Sequence, residues 1–372
     1  ISMKTQYSTA MLHEIAEEPA IFSKILKDRE KYTQAFVRLF EENDIKRIYL
    51  TGCGSPGWAS MTLKFAATSL LKIDATYLSA ALFNNHEGFN VSGLLSPQQM
   101  LLICPAETGR TKGPVEAARK AKALGIPVVC TTLEPEGVLA ETSDVVIYKP
   151  SGREIGLPST KGHSTGIFIF LLCFVEAAHK LNRISAEEYA RYIEALERLP
   201  GAAEKIYNES IAWFEKYMDV VMCAERYHMV AYGANCATIN EVVLKFTESH
   251  RRPSMAVELE EFMHGHIRSI DKKDLILFLC AEDGPEKDRM LELYELMLQK
   301  KIGADCVMIH SSRDPFHYDK ELLISAGNVE FVNTLEYLIP LQYLSYAIAN
   351  QLGLDMSVSQ AIYLKEAMHP SY

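Results

Sequence analysis

Two groups of side chains in this sequence could do chemistry, and their spacing suggests how. Glu241, Lys245 and Glu248 stand at i, i+4 and i+7, so a single helix would present all three on one face. Sixteen residues after Glu248 comes His264, within Glu261-Phe262-Met263-His264-Gly265-His266. A carboxylate base and a second ionisable group can together move a proton at a carbon beside a carbonyl or imine. The plain alternative for the stripe is an exposed, salt-bridged helix face, and for the histidines a polar turn. A zinc pair is the weaker option, since His250 is the one further ligand nearby and zinc wants four. Neither a metal nor a cofactor is expected.

The second group suits an anion. Gly52-Cys53-Gly54-Ser55 follows the apolar run Ile48–Thr51, and its glycines let backbone approach a ligand closely. Ala106-Glu107-Thr108-Gly109-Arg110-Thr111 follows Met100–Cys104 and opens onto a helical pattern. Hydroxyls, a glycine, an arginine and a helix N-terminus offer the fixed donors that a phosphate needs. A third stretch, Glu154-Ile155-Gly156-Leu157-Pro158-Ser159-Thr160-Lys161, places Ser-Thr at a helix start. Each stretch alone could be a mere cap or turn. Three at strand ends of one half point to a site.

These strand ends belong to a repeating pattern. Short runs rich in Val, Ile and Leu recur at Ile48–Thr51, Met100–Cys104, Pro127–Thr131, Asp144–Tyr148, Met229–Tyr232, Leu275–Leu279, Cys306–Ile309 and Val329–Val332. They lack polar alternation, as strands buried on both faces do. Helical segments such as Pro114–Leu124, Glu286–Lys301 and Leu335–Gln351 lie between them. The prediction is an α/β fold with parallel sheets wrapped by helices, ligands sitting beyond the carboxyl ends of the strands. The halves also resemble each other: Ile48–Phe65 aligns with Met229–Phe246 without a gap, and Ala106-Glu107-Thr108-Gly109 with Ala281-Glu282-Asp283-Gly284. Internal duplication follows, with the boundary in the charged helical stretch Glu187–Lys216 and Ile15–Glu42 as a helical arm. The second copy of the middle loop, Asp283-Gly284-Pro285-Glu286, trades hydroxyls for carboxylates, so only the first half should take phosphate.

The Cys-Gly-Ser turn, the Thr-Gly-x-Thr loop and Glu-Ile-Gly-x-x-Ser-Thr-Lys at these distances resemble the sugar isomerase (SIS) domain family. The tandem arrangement is similar to the isomerase half of glucosamine-6-phosphate synthase and to fructosamine-6-phosphate deglycases, over nearly the whole chain. That resemblance implies two flavodoxin-like three-layer αβα domains, at 46–200 and 215–346, after an arm over 1–45 and before a site-closing tail over 347–372. It implies Gly54, Ser55, Glu107, Thr108, Gly109, Arg110, Thr111 and Ser159 around a sugar phosphate, with the hydroxyls on the phosphate itself. Glu-x-x-x-Lys-x-x-Glu followed by Glu-x-x-His-Gly resembles the family's catalytic segment. Glu248 is then the base, His264 the ring-opening group lent by a neighbouring subunit, and Lys245 the neighbour that holds Glu248. Lys365 would correspond to a tail lysine that closes over the sugar. Pro56, Ala106 and His266 depart from the pattern, and Arg110 would compensate for the lost donors.

The implied activity is proton transfer on a 6-phosphorylated sugar. Deglycation of a fructosyl-amine 6-phosphate is the first expectation, with deamination of an amino-sugar phosphate and aldose–ketose isomerisation as alternatives. With no glutaminase region before the isomerase-like part, a complete synthase is not expected. A non-catalytic sugar-phosphate sensor is the alternative from another class. The formal net charge of −10, without a basic block, argues against nucleic acid as a partner. Eight cysteines with no C-x-x-C spacing read as reduced core thiols. The opening ISMKTQYSTAML holds no apolar leader, and the apolar stretch Gly166–Ala178 is too short to span a bilayer. A cytoplasmic homodimer or dimer of dimers with no membrane partner is expected.

Overall fold

The computed structural model describes residues 9–300, 304–359, 362–368 and 370–372, without the side chains of Lys300 and Lys365. The first sheet is built from β1 Arg47–Gly52, β2 Asp74–Ser79, β3 Met100–Pro105, β4 Val128–Thr132 and β5 Val145–Tyr148. All its pairings are parallel, in the order β2-β1-β3-β4-β5. The second sheet comprises β6 Arg226–Ala231, β7 Ser254–Glu258, β8 Asp274–Cys280, β9 Asp305–Ser311 and β10 Leu322–Ile324. It too is wholly parallel, and read from β7 its order is β7-β6-β8-β9-β10. Renumbered from their own first strands, both sheets run 2-1-3-4-5, the flavodoxin-like winding. The duplication read from the sequence is thus repeated in the topology.

The central strands explain why the pattern was visible. Every residue of β3 and of β8 is buried. Helices cover both faces, so these strands read as unbroken apolar runs. Each fully buried Leu or Ile there contributes about 1.5–3 kcal/mol through water released from its surface. Helix Lys161–Lys180 extends beyond the apolar run Gly166–Ala178 seen in sequence. Among the described residues it is the one helix long and apolar enough to cross a membrane, yet 89% of its apolar window is buried. Its phenylalanines account for that: Phe168 stacks on Phe22 at 4.7 Å, while Phe170 and Phe174 meet Phe36 at 6.3 and 5.7 Å.

The chain forms two compact units that do not follow it linearly. One holds the first sheet and consists of residues 20–154, 161–197 and 359–372; the other holds the second sheet and consists of the chain up to Pro19, 155–160 and 198–358.

Some expectations change. Val329–Val332 is not a strand: the fifth strand of the second sheet is Leu322–Ile324, and Val329–Val332 leads into helix Asn333–Gln351. Asn328 and Phe331 have φ of 54° and 68°, which no strand tolerates, and the run is apolar because Phe331 and Val332 are buried. The arm Ile15–Glu42 is two helices, Ala10–Lys27 and Arg29–Glu42, broken at Asp28. The stretch Glu187–Lys216 lies inside helix Ala186–Cys223, which loses helical geometry only at Tyr217.

Candidate functional site

In the first unit the chain reverses its winding between β1 and β3, and a crevice opens there beyond the strand ends. A cavity of about 160 Å³ occupies that place, lined by Cys53 and Pro56 after β1, by Pro105–Gly109 and Thr111 after β3, and by Pro114 and Leu139. Thr108, Gly109, Thr111 and Glu107 of the predicted set therefore come together. Burial raises the Cys53 thiol above its ordinary pKa, so it faces the cavity as a neutral group.

Local geometry explains the residue types. Gly52 is fixed by close approach, since a Cβ there would lie 2.7 Å from the backbone of Pro56 and Gly57. Gly54 sits at φ 64° as the N-cap of helix Ser55–Leu71, which starts with Ser55 and Pro56. Ser55 is buried, and its carbonyl meets His163 Nδ1 at 3.0 Å. Gly109 has φ 65°. The carbonyls of the β3 loop are tied down: Glu107 O accepts from Leu133 N at 2.7 Å and Thr132 Oγ1 at 3.1 Å, and Gly109 O accepts from Leu139 N at 3.0 Å. Thr111 then N-caps helix Lys112–Ala123, whose positive end faces the loop.

Arg110 does not line the cavity. Its Nε donates to Glu134 Oε2 at 2.8 Å, and Arg153 pairs with the same carboxylate. The Arg110 hydrogen bond, helped by Arg153, holds the Glu134 carboxyl below its usual range. Glu107 is turned to a residue that motif reading missed. Lys149, the first residue after β5, is buried, and its Nζ pairs with Glu107 Oε1 and donates to Gly162 O at 3.1 Å. The one sequence signal was a lysine closing an apolar run.

The C-terminal segment also reaches this loop within the same unit. Thr111 and Ser371 form an antiparallel bridge, with Lys112 N donating to Pro370 O and Tyr372 N to Arg110 O, both at 2.9 Å. The guanidinium of Arg119 lies over the Tyr372 ring at 4.6 Å. Lys365 falls on helix Ile362–Ala367, and its side chain lies outside the described part. Ser159 belongs to the segment 155–160, which packs with the other unit; there Gly156 N reaches Glu14 at 3.4 Å and Leu157 N reaches Met356 O at 3.2 Å.

In the second unit, helix Asn235–Ser249 carries the Glu-Lys-Glu stripe, and it is not a solvated face. Lys245 and Glu241 are both 1% exposed. Lys245 Nζ sits 2.6 Å from Glu248 Oε2 and 3.4 Å from Glu241 Oε1, while Glu248 keeps a third of its side chain accessible. A carboxylate gripped by a buried ammonium yet open to solvent is held in one place while remaining accessible. His264 ends helix Leu259–His264, exposed, after Glu258 caps that helix through Glu260 N and Glu261 N at 2.9 and 3.1 Å. His250 is a core residue against Phe246 and Tyr227, and burial pushes its pKa down to about 3. Among the described residues no group of three or more His, Cys, Asp or Glu could hold a metal ion.

The second unit's own reversal point, between β6 and β8, is furnished differently. Glu282, the counterpart of Glu107, accepts from Asn333 Nδ2 at 2.6 Å and Asn235 Nδ2 at 3.5 Å, and burial raises its pKa. Asp283, exposed, pairs with Lys287 at 2.8 Å. Where the first unit has Glu107 and Thr108, the second has Glu282 and Asp283.

Comparisons with known proteins bear on the family and the fold. Residues 43–175 match the SIS domain family model. Over 366 residues the chain is 25% identical to a glutamine–fructose-6-phosphate aminotransferase (isomerizing) of Neisseria meningitidis, covering 94% of this chain and 57% of that protein. The chain thus spans little more than half the length of that relative. Among solved structures, the C-terminal domain of glucosamine-fructose-6-phosphate aminotransferase from Francisella tularensis superposes with TM-score 0.81 at 22% identity, covering 93% and 97% of the two chains. Glucosamine-6-phosphate deaminase from Thermotoga maritima superposes with TM-score 0.71 at 20% identity, covering 94% and 96%.

Proposed function

Starting from the SIS domain that residues 43–175 form, we propose that this chain is a sugar-phosphate enzyme that moves a proton on a 6-phosphorylated amino or fructosyl-amine sugar. The observation that carries the reading is the cavity at the first reversal point, walled by Thr108, Gly109 and Thr111 at a helix N-terminus. Hydroxyls and a helix dipole hold a phosphate without needing a positive surface, in keeping with a chain of net charge −10.

In this reading the first module's loops, with Gly54 and Ser55, take the phosphate end. Glu248 is the base, taking a proton from the carbon beside the carbonyl or imine and returning it to the neighbouring carbon. Lys245 orients that carboxylate, its ammonium standing 2.6 Å from Oε2. His264 opens the sugar ring. Its exposure suits a group lent to a second copy in a dimer. Lys365 and the tail close over the sugar, and the location is cytoplasmic.

Deglycation of a fructosyl-amine 6-phosphate is the reaction proposed first. Deamination of an amino-sugar phosphate is the second, supported by the likeness to a glucosamine-6-phosphate deaminase over nearly the whole chain. A substrate panel separates them: 6-phosphorylated fructosyl-amino acids, glucosamine 6-phosphate and fructose 6-phosphate, with released amine, ammonia and sugar phosphate each measured. Amino acid and glucose 6-phosphate from the first class support deglycation, and ammonia from the second supports deamination. Binding without turnover across the panel, equal in wild type and Glu248→Gln, would leave only a sensor.

A further inference from the structure

The cavity poses an electrostatic problem. A sugar phosphate brings up to two negative charges, yet among the described residues that line the cavity Glu107 is the only charged one. The nearest cation in the sequence, Arg110, is committed to Glu134. Left alone, Glu107 would oppose the ligand at short range, and in a partly dehydrated cleft that opposition is strong.

Lys149 resolves it. Its side chain is 1% exposed, and a lysine so buried is retained only when paired. The backbone fixes its place: Lys149 N donates to Thr132 O at 2.9 Å, extending the β4–β5 ladder by one residue beyond Tyr148. From there Nζ reaches Glu107 Oε1 and Gly162 O. The position of Gly162 completes the arrangement. A Cβ there would lie 2.5 Å from Glu107 Oε2 and 2.8 Å from Glu154 Oε1, so any larger residue would push Glu107 off its lysine and toward the cavity. Among the described residues of the second unit, Glu282 meets two amides instead, which neutralise nothing.

We propose that Lys149 is a specificity-determining positioning residue, which draws the Glu107 carboxylate off the cavity and cancels its charge so that an anionic ligand can enter. The inference rests on the phosphate reading of the cavity given above. It makes the pair a unit: removing the lysine exposes a repelling charge, removing the glutamate unmasks an attracting one, and removing both returns the cavity to near neutrality.

The test is calorimetric titration of fructose 6-phosphate and of inorganic phosphate into wild type, Lys149→Met, Glu107→Gln, the double variant and Lys149→Arg, with unfolding midpoints recorded for each. Expected are a loss of affinity of about tenfold or more in Lys149→Met and a gain of a few-fold in Glu107→Gln. The double variant should return to within about threefold of wild type, and Lys149→Arg should stay near wild type. A purely structural lysine would give losses in the double variant as large as in Lys149→Met, which would overturn the proposal. If Lys149→Met does not fold, Glu107→Gln decides: unchanged or weakened phosphate affinity overturns it. Wild type that binds neither ligand would refute the phosphate reading itself, whereas wild-type binding with a double variant as weak as Lys149→Met would refute only the role of Lys149.

Discussion

Replacing Lys245 by methionine is the perturbation whose size follows most directly from the structure. Lys245 and Glu241 are both 1% exposed, and Lys245 Nζ lies 3.4 Å from Glu241 and 2.6 Å from Glu248. Methionine fills most of the volume but removes the buried ammonium that Glu241 and Glu248 both meet. Removing one partner of a buried pair costs about 3–5 kcal/mol, most of it the uncompensated charge. Glu248 adds little, because water reaches a third of its side chain and screens it. For a unit of this size the loss corresponds to a midpoint lowered by about 6–20 °C. Differential scanning calorimetry at neutral pH measures it, with guanidinium titration as a check on the free energy. Glu241→Gln added to Lys245→Met should recover more than half of the loss, since the carboxylate is then removed together with its ammonium. A Lys245→Met midpoint within about 2 °C of wild type would refute the buried-pair argument and return the stripe to a solvated helix face.

Other outcomes follow from the same geometry. Thr111→Val should weaken binding of a sugar phosphate by about ten- to a hundredfold, the worth of one hydrogen bond to a charged group, as read by calorimetric titration. Gly109→Ala should cost about 1–2 kcal/mol in urea unfolding, because its φ of 65° disfavours a side chain and the new Cβ would meet Leu139 Cβ at 3.3 Å. His250 has a folded pKa depressed to about 3 from an ordinary 6.5, so between these values the unfolded chain holds a proton that the fold refuses. Its stabilising contribution is complete above about pH 6.5 and falls as pH drops toward 3, by at most about 1.4 kcal/mol per pH unit, and His250→Phe should flatten that part of the urea-derived stability profile.

The fold was legible where both faces of a strand are buried and illegible where they are not. β3 and β8 announced themselves as unbroken apolar runs, whereas β2 reads Asp-Ala-Thr-Tyr-Leu-Ser because it is an edge strand with no fully buried residue. β7 is likewise partly exposed, and β10 is three residues long. Val329–Val332 was mistaken for a strand because burial alone makes a helix entry apolar. The Thr108–Thr111 loop stood out because hydroxyls and glycine meet there in sequence order at a strand-to-helix junction. Lys149 and the Pro370–Tyr372 pairing were not, since each is brought to the loop from far along the chain by sheet order and tail path. No local spacing encodes that. Arg110 shows the converse: its position in the motif suggested a phosphate donor, and the more distant Glu134 takes its guanidinium instead.

The account depends on a single carboxylate carrying a proton between carbons of a phosphorylated sugar. Incubating wild type and Glu248→Gln with fructose 6-phosphate or a fructosyl-amine 6-phosphate in deuterium oxide, and following deuterium on the sugar carbons by NMR, tests this. Wild type should incorporate solvent deuterium beside the carbonyl carbon, while Glu248→Gln binds the same ligand with similar affinity and incorporates none. Deuterium entering at undiminished rate with glutamine at position 248 would contradict the account.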